Sequence, residues 1–221
     1  MTTSPQLLIQ RHRYAVLFGA LLATVTIGPL LEALAFGHRV MEGLLFASLI
    51  TAVFPIGHSL QRYVLLGLVL LVQALRWLAH DAGSMIVPVV GAVLWCVLGA
   101  LAAYHAVRYS LSSARVHTEQ LYAALSAYLL IGICGGVIFA TLSAWQPASM
   151  LVGGQAARSG LGMGAAIYFS FVTLATLGYG DITPASSVMR GLAVLEAIAG
   201  QLYLALLVAR LVGLRSANHS G

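Results

Sequence analysis

Long runs of apolar residues dominate the chain, and short polar segments separate them. A helix needs ~20 apolar residues, with a range of ~17–25, to cross the hydrocarbon core of a bilayer. Six runs reach or approach this length, and we predict that each is a membrane-spanning helix. They cover residues 14–36, 42–58, 63–79, 85–107, 119–145 and 187–214.

The region between the fifth and sixth runs contains two different segments. Residues 146–160 are polar and glycine-rich, and they predict an exposed loop. Residues 161–175 are apolar and helix-like, but they are too short to cross ~30 Å of hydrocarbon. Such a segment is predicted to be either re-entrant or buried in the core. The non-helical backbone that follows it must then be buried or line an aqueous cavity.

The composition assigns the chain to the polytopic membrane proteins. Hydrophobic residues make up 60% of it and charged residues 8%, whereas soluble domains carry ~25% charged residues. The net charge of +5 comes from eleven arginines without any lysine. Because these arginines are spread thinly and form no clustered basic face, the sequence argues against nucleic-acid binding.

The arginines also indicate the orientation of the chain in the membrane. With the N-terminus in the cytoplasm, seven of the eleven lie inside and four outside, as the positive-inside rule favours. The inside set is Arg11, Arg13, Arg62, Arg108, Arg115, Arg210 and Arg215. We therefore expect a multi-pass protein of the cell membrane with both termini cytoplasmic. Arginine without lysine is typical of GC-rich bacterial genomes, which suggests a bacterial inner membrane.

Residues 176–180, Thr-Leu-Gly-Tyr-Gly, follow the short apolar segment and contain two alternating glycines. Glycine adopts left-handed backbone angles at little steric cost, whereas other L-residues resist them. Alternating such angles turns successive carbonyls to the same side, and the Thr176 hydroxyl lies at the inner end of this row. A strip of hard oxygen ligands of this kind can replace the water shell of a monovalent cation.

One strip cannot surround an ion, so several copies about an axis are needed, and closed cyclic symmetry provides them. The short helix before the strip would direct the negative end of its dipole towards the ion path. We expect Leu177 and Tyr179 to face away from the ions. They would pack against the short helix and hold the oxygens at their spacing.

Residues 176–181, Thr-Leu-Gly-Tyr-Gly-Asp, resemble the signature of the potassium-channel family, which is usually Thr-Val-Gly-Tyr-Gly-Asp. The resemblance extends over residues 119–214 and implies an outer helix, a pore helix, a selectivity filter and an inner helix. It also implies a homotetramer in the lipid bilayer that conducts K⁺ without a cofactor. The implied filter residues are Thr176, Leu177, Gly178, Tyr179 and Gly180, and the first four of them would bind K⁺.

Three residues next to the filter are expected to support it, namely Val172, Thr173 and Asp181. Many members of the family carry a glutamate four residues before the filter threonine, where it pairs with the aspartate after the filter. Val172 occupies that position here, so we expect Asp181 to lack this partner. Family-typical inactivation of the filter is therefore not implied, whereas selectivity need not change.

Two residues of the last predicted helix have competing interpretations. Gly200 lies where the family places a gating hinge, and its alternative role is close helix packing. Glu196 is an ionisable group at mid-membrane, which costs ~2.5–3.5 kcal/mol on insertion scales unless it is shielded. It is either functional, as a cavity charge or as a pH-sensitive gate element, or it is a hydrogen-bonded structural carboxyl between the inner and pore helices. The structural role is the simpler of the two.

The expected fold is an all-α membrane protein with six transmembrane helices, a re-entrant pore helix and a filter loop in a tetrameric pore. Residues 1–107 would form a four-helix domain resembling a degenerate voltage sensor. Residues 108–118 would be a cytoplasmic linker and residues 119–215 the pore domain. Each charge that crosses the field supplies ~2.3 kcal/mol per 100 mV. Because residues 85–107 contain no arginine or lysine, we do not expect steep voltage gating.

The function predicted from these features is passive, potassium-selective conduction, and no catalytic constellation indicates an enzyme. A weakly selective cation channel is the nearest alternative, because a filter sequence does not guarantee a rigid filter. A potassium transporter typically carries four degenerate filter loops in one chain, whereas this chain has one. A non-conducting regulatory subunit is a third class, against which the intact filter argues.

Overall fold

The computed structural model describes residues 12–32, 37–53, 63–71, 74, 86–112 and 118–217. The helices are α1 (Arg13–Glu32), α2 (Gly37–Val53), α3 (Ile86–Leu111), α4 (Thr118–Trp145), α5 (Met163–Leu174) and α6 (Ser187–Ala217). The strands are β1 (Met150–Val152), β2 (Gln155–Ala156) and β3 (Ile182–Pro184). Residues 63–71 are helical as well. The chain divides into two compact units, and the division falls inside α4, after Ile131.

The first unit contains α1, α2, α3 and the first half of α4. Residues four apart lie on the same face of a helix, and the leucines with this spacing in α1 and α2 are buried. They are Leu17, Leu21, Leu45 and Leu49. At one end of α1, the Tyr14 ring stacks on that of Tyr109, with centroids 4.6 Å apart. The backbone N–H of Tyr14 donates to Glu119 Oε2 over 3.1 Å.

Three helices among the described residues are long and apolar enough to cross a membrane. They are Val89–Leu111 of α3, Thr118–Trp145, which is α4, and Ser187–Gly213 of α6. The described apolar stretches of α1 and α2, Arg13–Ile27 and Val40–Val53, are shorter. Residues 72–73 and 75–79 of the predicted span 63–79, and residues 33–36 and 54–58 of the first two, lie outside the described residues. The count of six spans therefore stays a prediction.

The last turn of α3 corrects one predicted boundary. We predicted that this helix ends at residue 107 and that a linker begins at 108, but the helix continues to Leu111. Arg108 therefore lies in the last helical turn, where its Nη1 is 3.5 Å from the Tyr104 hydroxyl one turn earlier. A cation near the C-terminus of a helix also interacts favourably with the helix dipole.

The second unit contains a small antiparallel sheet, so the predicted all-α class needs correction. The strand order is β2-β1-β3, and β1 pairs with β2 inside the segment that we predicted to be an exposed loop. A two-residue turn, Gly153-Gly154, joins the two strands, and its residues have φ angles of 57° and 79°. Positive φ at both central residues defines the tight hairpin turn that suits twisted strands.

The core of the second unit lies where the sheet meets α4, α5 and α6. Its buried residues are Phe139, Ala140, Met150, Leu161, Ala166, Phe169, Ile182 and Met189. Two of them, Phe139 and Phe169, make an edge-to-face contact with ring centroids 4.8 Å apart. Just before α5, the Leu161 N–H donates to the buried Ser143 Oγ over 2.9 Å. These contacts fix the start of α5 relative to α4.

Candidate functional site

Glycines of α4 allow α5 to approach it closely. A Cβ added to Gly132 would lie 2.5 Å from Cζ of Phe171, and one added to Gly136 would lie 2.6 Å from the Cα of Ile167. Real Cβ atoms essentially never come so close to other heavy atoms. Small residues are the usual way in which helices in membranes pack at short range. The absence of side chains at these two positions therefore sets the depth at which α5 sits.

Glu196 of α6 lies against the buried Ser170 of α5. Ser170 Oγ is 2.5 Å from Glu196 Oε1 and 2.6 Å from the carbonyl oxygen of Gly132. The other carboxyl oxygen, Glu196 Oε2, is buried without a hydrogen-bond partner. A Cβ on Gly135 of α4 would overlap Glu196 Oε1 and lie 2.7 Å from Ser170 Oγ. Of the two interpretations given above for Glu196, this position corresponds to the carboxyl between inner and pore helices.

Gly200 packs against the last residue of α5. A Cβ at this position would overlap the Leu174 carbonyl oxygen and lie 2.9 Å from Leu174 Cδ1. Close packing of α6 on α5 therefore explains why the residue at position 200 is a glycine. A hinge at the same residue stays a prediction.

The strip that follows α5 has an alternating backbone. Its φ angles are 56° at Thr176, 57° at Gly178 and 80° at Gly180, and the residues between them have negative φ. Sequence reasoning anticipated left-handed angles at the two glycines but missed the one at Thr176. Nothing in the sequence could have revealed it, because threonine disfavours this conformation.

The carbonyl groups of the last turn of α5 hold the inner half of the strip. The Thr176 N–H donates to Thr173 O over 2.9 Å. The N–H groups of Leu177 and Gly178 donate to Val172 O over 2.8 and 3.4 Å. Val172 and Thr173, which we expected to support the filter, therefore hold the strip through their backbone oxygens.

Asp181, at the outer end of the strip, has partners that the sequence analysis did not find. Its carbonyl oxygen accepts a hydrogen bond of 2.7 Å from Gly153 N in the β1–β2 turn. Its side chain accepts a hydrogen bond from the Tyr168 hydroxyl, which raises the pKa of Tyr168. Tyr168 precedes Val172 by one helical turn on the same face of α5. This spacing is the signal that would have identified Tyr168 as a partner of Asp181 in place of the missing glutamate.

Gln201 lies at the inner end of the strip, and sequence reasoning missed it as well. Its Nε2 donates to Thr176 Oγ1 over 3.3 Å. A polar amide in an apolar helix, next to Gly200, was the available signal.

Leu177 and Tyr179 are largely uncovered in the protomer, with 57% and 66% of their surfaces exposed. We expected them to pack against the short helix, and in the protomer more than half of the surface of each residue stays uncovered. Helix α6 is similarly uncovered: 6% of its most apolar window is buried, compared with 67% for α4.

Comparison with known proteins gives one match. Residues 124–214 match a family model described as ion channel, and this range contains α5, the strip, Glu196 and Gly200. No curated protein and no solved structure matches the chain. The match supports an ion-channel family, and with it an ion-channel function, for the part of the chain from α4 to α6. Ion channels are not a class of enzyme.

Proposed function

We propose that this chain is one subunit of a tetrameric, potassium-selective channel that conducts K⁺ passively. The observation that carries the proposal is the alternation of positive φ at Thr176, Gly178 and Gly180. Alternating backbone angles direct successive carbonyl oxygens to one side, where they can replace the hydration shell of K⁺. K⁺ would be bound by Thr176, Leu177, Gly178 and Tyr179, and no cofactor is needed.

The position of α5 supports the same function. The helix ends at Leu174, immediately before the strip, and Ala175 closes it with an N–H bond to Phe171 O. Its carbonyl end, which carries the negative end of the helix dipole, therefore faces the start of the strip. A dipole in this orientation favours a cation beside Thr176. At twelve residues, α5 is too short to span a bilayer and suits a re-entrant pore helix.

The uncovered surfaces are our reason for proposing a tetramer. A single strip supplies ligands on one side of an ion, and a closed ring of copies is the simplest way to complete the coordination. Leu177 and Tyr179 point out of the protomer, and α6 exposes a row of large apolar residues. The exposed row includes Val194, Leu195, Ile198, Leu202 and Leu206. Neighbouring copies and lipid would cover these side chains.

The rest of the proposal follows from the charge distribution. The protein would be a multi-pass protein of a bacterial inner membrane with both termini in the cytoplasm. The described part of α3 has its one basic residue, Arg108, in the last turn, so it cannot carry several gating charges across the field. We therefore propose a channel without steep voltage gating.

Two glycine substitutions provide a matched test of the strip. Gly180 and Gly154 have φ angles of 80° and 79°, and neither has an atom within 4 Å of an added Cβ. Gly180→Ala and Gly154→Ala therefore impose the same backbone strain, but Gly180 alone lies in the proposed filter. We expect Gly180→Ala to abolish K⁺ flux into proteoliposomes, and Gly154→Ala to conduct like the wild type.

Three results would count against the proposal. Equal flux through both variants would mean that the strip does not line the ion path. Loss of flux in both would mean that the effect of Gly180→Ala is not specific to the strip, and the pair would then give the proposed filter no support. Wild-type protein that passes Na⁺ as readily as K⁺ would be a weakly selective cation channel.

A further inference from the structure

One buried hydroxyl connects three helices of the second unit. Ser170 of α5 is fully buried, and its Oγ lies within hydrogen-bond distance of two oxygen atoms. These atoms are the carbonyl oxygen of Gly132 on α4, at 2.6 Å, and Glu196 Oε1 on α6, at 2.5 Å. Both contacts hold α5 at the level of its last turn and a half, directly before the proposed filter.

The protons available to these two contacts can be counted. Two oxygen atoms at such distances need a proton between them. A peptide carbonyl has no proton to donate and a serine hydroxyl has one, so the Ser170 proton is used in the contact with Gly132. The proton in the second contact must then belong to Glu196. We propose that Glu196 is a neutral carboxylic acid that donates to Ser170, and that it acts as a positioning residue for the pore helix.

The second carboxyl oxygen is consistent with a neutral acid. Glu196 Oε2 is buried and has no hydrogen-bond partner. In a carboxylate this oxygen would carry part of a negative charge without compensation, which is the costly case in a low-dielectric surrounding. In the neutral acid it is an uncharged carbonyl oxygen, whose lack of a partner costs less.

Charged neighbours that could stabilise a carboxylate at this place are not found among the described residues. Arg190, Arg210 and Arg215 lie on the same helix, ~9, ~21 and ~29 Å from Glu196 along its axis at ~1.5 Å per residue. Arg190 Nε donates to Pro184 O. The other titratable groups on the packed elements of this unit are Cys134 on α4, Tyr168 on α5 and Tyr203 on α6. Tyr168 bonds to Asp181, and Glu196 Oε1 contacts Ser170 Oγ.

Loss of the proton from Glu196 would break this arrangement. The carboxylate and the Gly132 carbonyl would then compete for the single Ser170 proton, so one of the two contacts would become repulsive. The pore helix would lose its attachment to either α4 or α6. K⁺ flux should therefore be complete while Glu196 is protonated and should fall as the pH rises through its titration.

Infrared spectroscopy of the purified protein tests the protonation directly and does not depend on conduction. We expect a carboxylic-acid C=O band at neutral pH that Glu196→Gln removes. Glu119→Gln is the matched control: it removes a half-buried carboxyl that accepts the Tyr14 N–H, and it should leave the band in place. Ser170→Ala should shift the band, because it removes the acceptor of the Glu196 proton. A band that is absent at neutral pH, or that survives Glu196→Gln, would overturn the inference.

Flux measurements test the positioning role, and this part rests on the proposed function. A glutamine at position 196 has the same shape, donates to Ser170 and cannot titrate. Glu196→Gln should therefore conduct without the alkaline decline of the wild type, whereas Glu196→Ala should lose most of the flux. The same alkaline decline in Glu196→Gln would refute the role of this proton. If the wild type passes no ions at all, the proposed function fails, and the infrared result still decides the state of Glu196.

Discussion

Replacement of Gly200 by alanine adds a single methyl group where α6 crosses the end of α5. The new Cβ would overlap the carbonyl oxygen of Leu174 and lie 2.9 Å from its Cδ1. The leucine side chain can move, but the carbonyl belongs to the backbone that leads into the strip. Relief of the overlap therefore requires α6 to shift away from α5.

The expected magnitude follows from two opposing effects. Overpacking of a well-packed interface costs ~1–3 kcal/mol, and alanine is better than glycine in a helix by ~1 kcal/mol. The difference is a net destabilisation of up to about 2 kcal/mol. Gly191→Ala on the same helix is the matched control, because no atom lies within 4 Å of a Cβ there. It should stabilise α6 by up to ~1 kcal/mol.

Thermal denaturation of the purified protein, followed by circular dichroism, compares the two variants. If close packing requires glycine at position 200, the denaturation midpoint of Gly200→Ala is lower than that of the wild type. The midpoint of Gly191→Ala is then unchanged or higher. If Gly200→Ala is as stable as Gly191→Ala, the close contact with Leu174 is not what requires glycine. A change in flux without a change in stability would then favour the hinge.

Two further predictions concern the ends of the strip. Gln201→Leu removes the hydrogen-bond donor to Thr176 Oγ1, which frees a lone pair of this oxygen for a cation. Ba²⁺ should therefore block the channel up to about tenfold more tightly. This factor corresponds to the loss of one hydrogen bond of ~0.5–1.5 kcal/mol. The same change in a Thr176→Val background should have no effect on Ba²⁺ block, and an equal effect there would contradict a role through the hydroxyl. Tyr168→Phe should remove a tyrosinate transition that lies above the ordinary pKa of ~10 in an ultraviolet titration. The neutral phenol of Tyr168 donates to Asp181, so the stabilisation from this hydrogen bond is complete below the ordinary pKa of tyrosine. It is lost as the pH rises and Tyr168 ionises. If the transition that is lost in Tyr168→Phe has the ordinary midpoint of ~10, the contact with Asp181 is contradicted.

The helices around the strip could be predicted because long apolar runs leave few alternatives. In a bilayer every backbone N–H and C=O must be satisfied within the segment, so a run of spanning length is a helix. This is why the predicted ranges 119–145 and 187–214 agree with α4 and α6 to within three residues. The short apolar segment 161–175 was likewise found as α5.

The sheet and the contacts of the strip could not be predicted for different physical reasons. Strands of two or three residues are too short to show an alternating pattern, and their register depends on a turn whose glycines were interpreted as loop residues. The contact between Ser170 and Glu196 joins residues far apart in the sequence. It exists because Gly135 leaves room for it, and neither polar residue indicates the other by spacing.

The most direct test of the central claim is K⁺ flux into liposomes that contain the purified protein, with Na⁺ as competitor and Gly178→Asp as control. Gly178 has a φ of 57° and lies in the middle of the strip, so a carboxylate side chain there should disrupt the row of carbonyls. The account predicts K⁺-selective flux that Na⁺ does not reduce and that Gly178→Asp abolishes. Flux of Na⁺ equal to that of K⁺, or K⁺ flux that persists in Gly178→Asp, would contradict it.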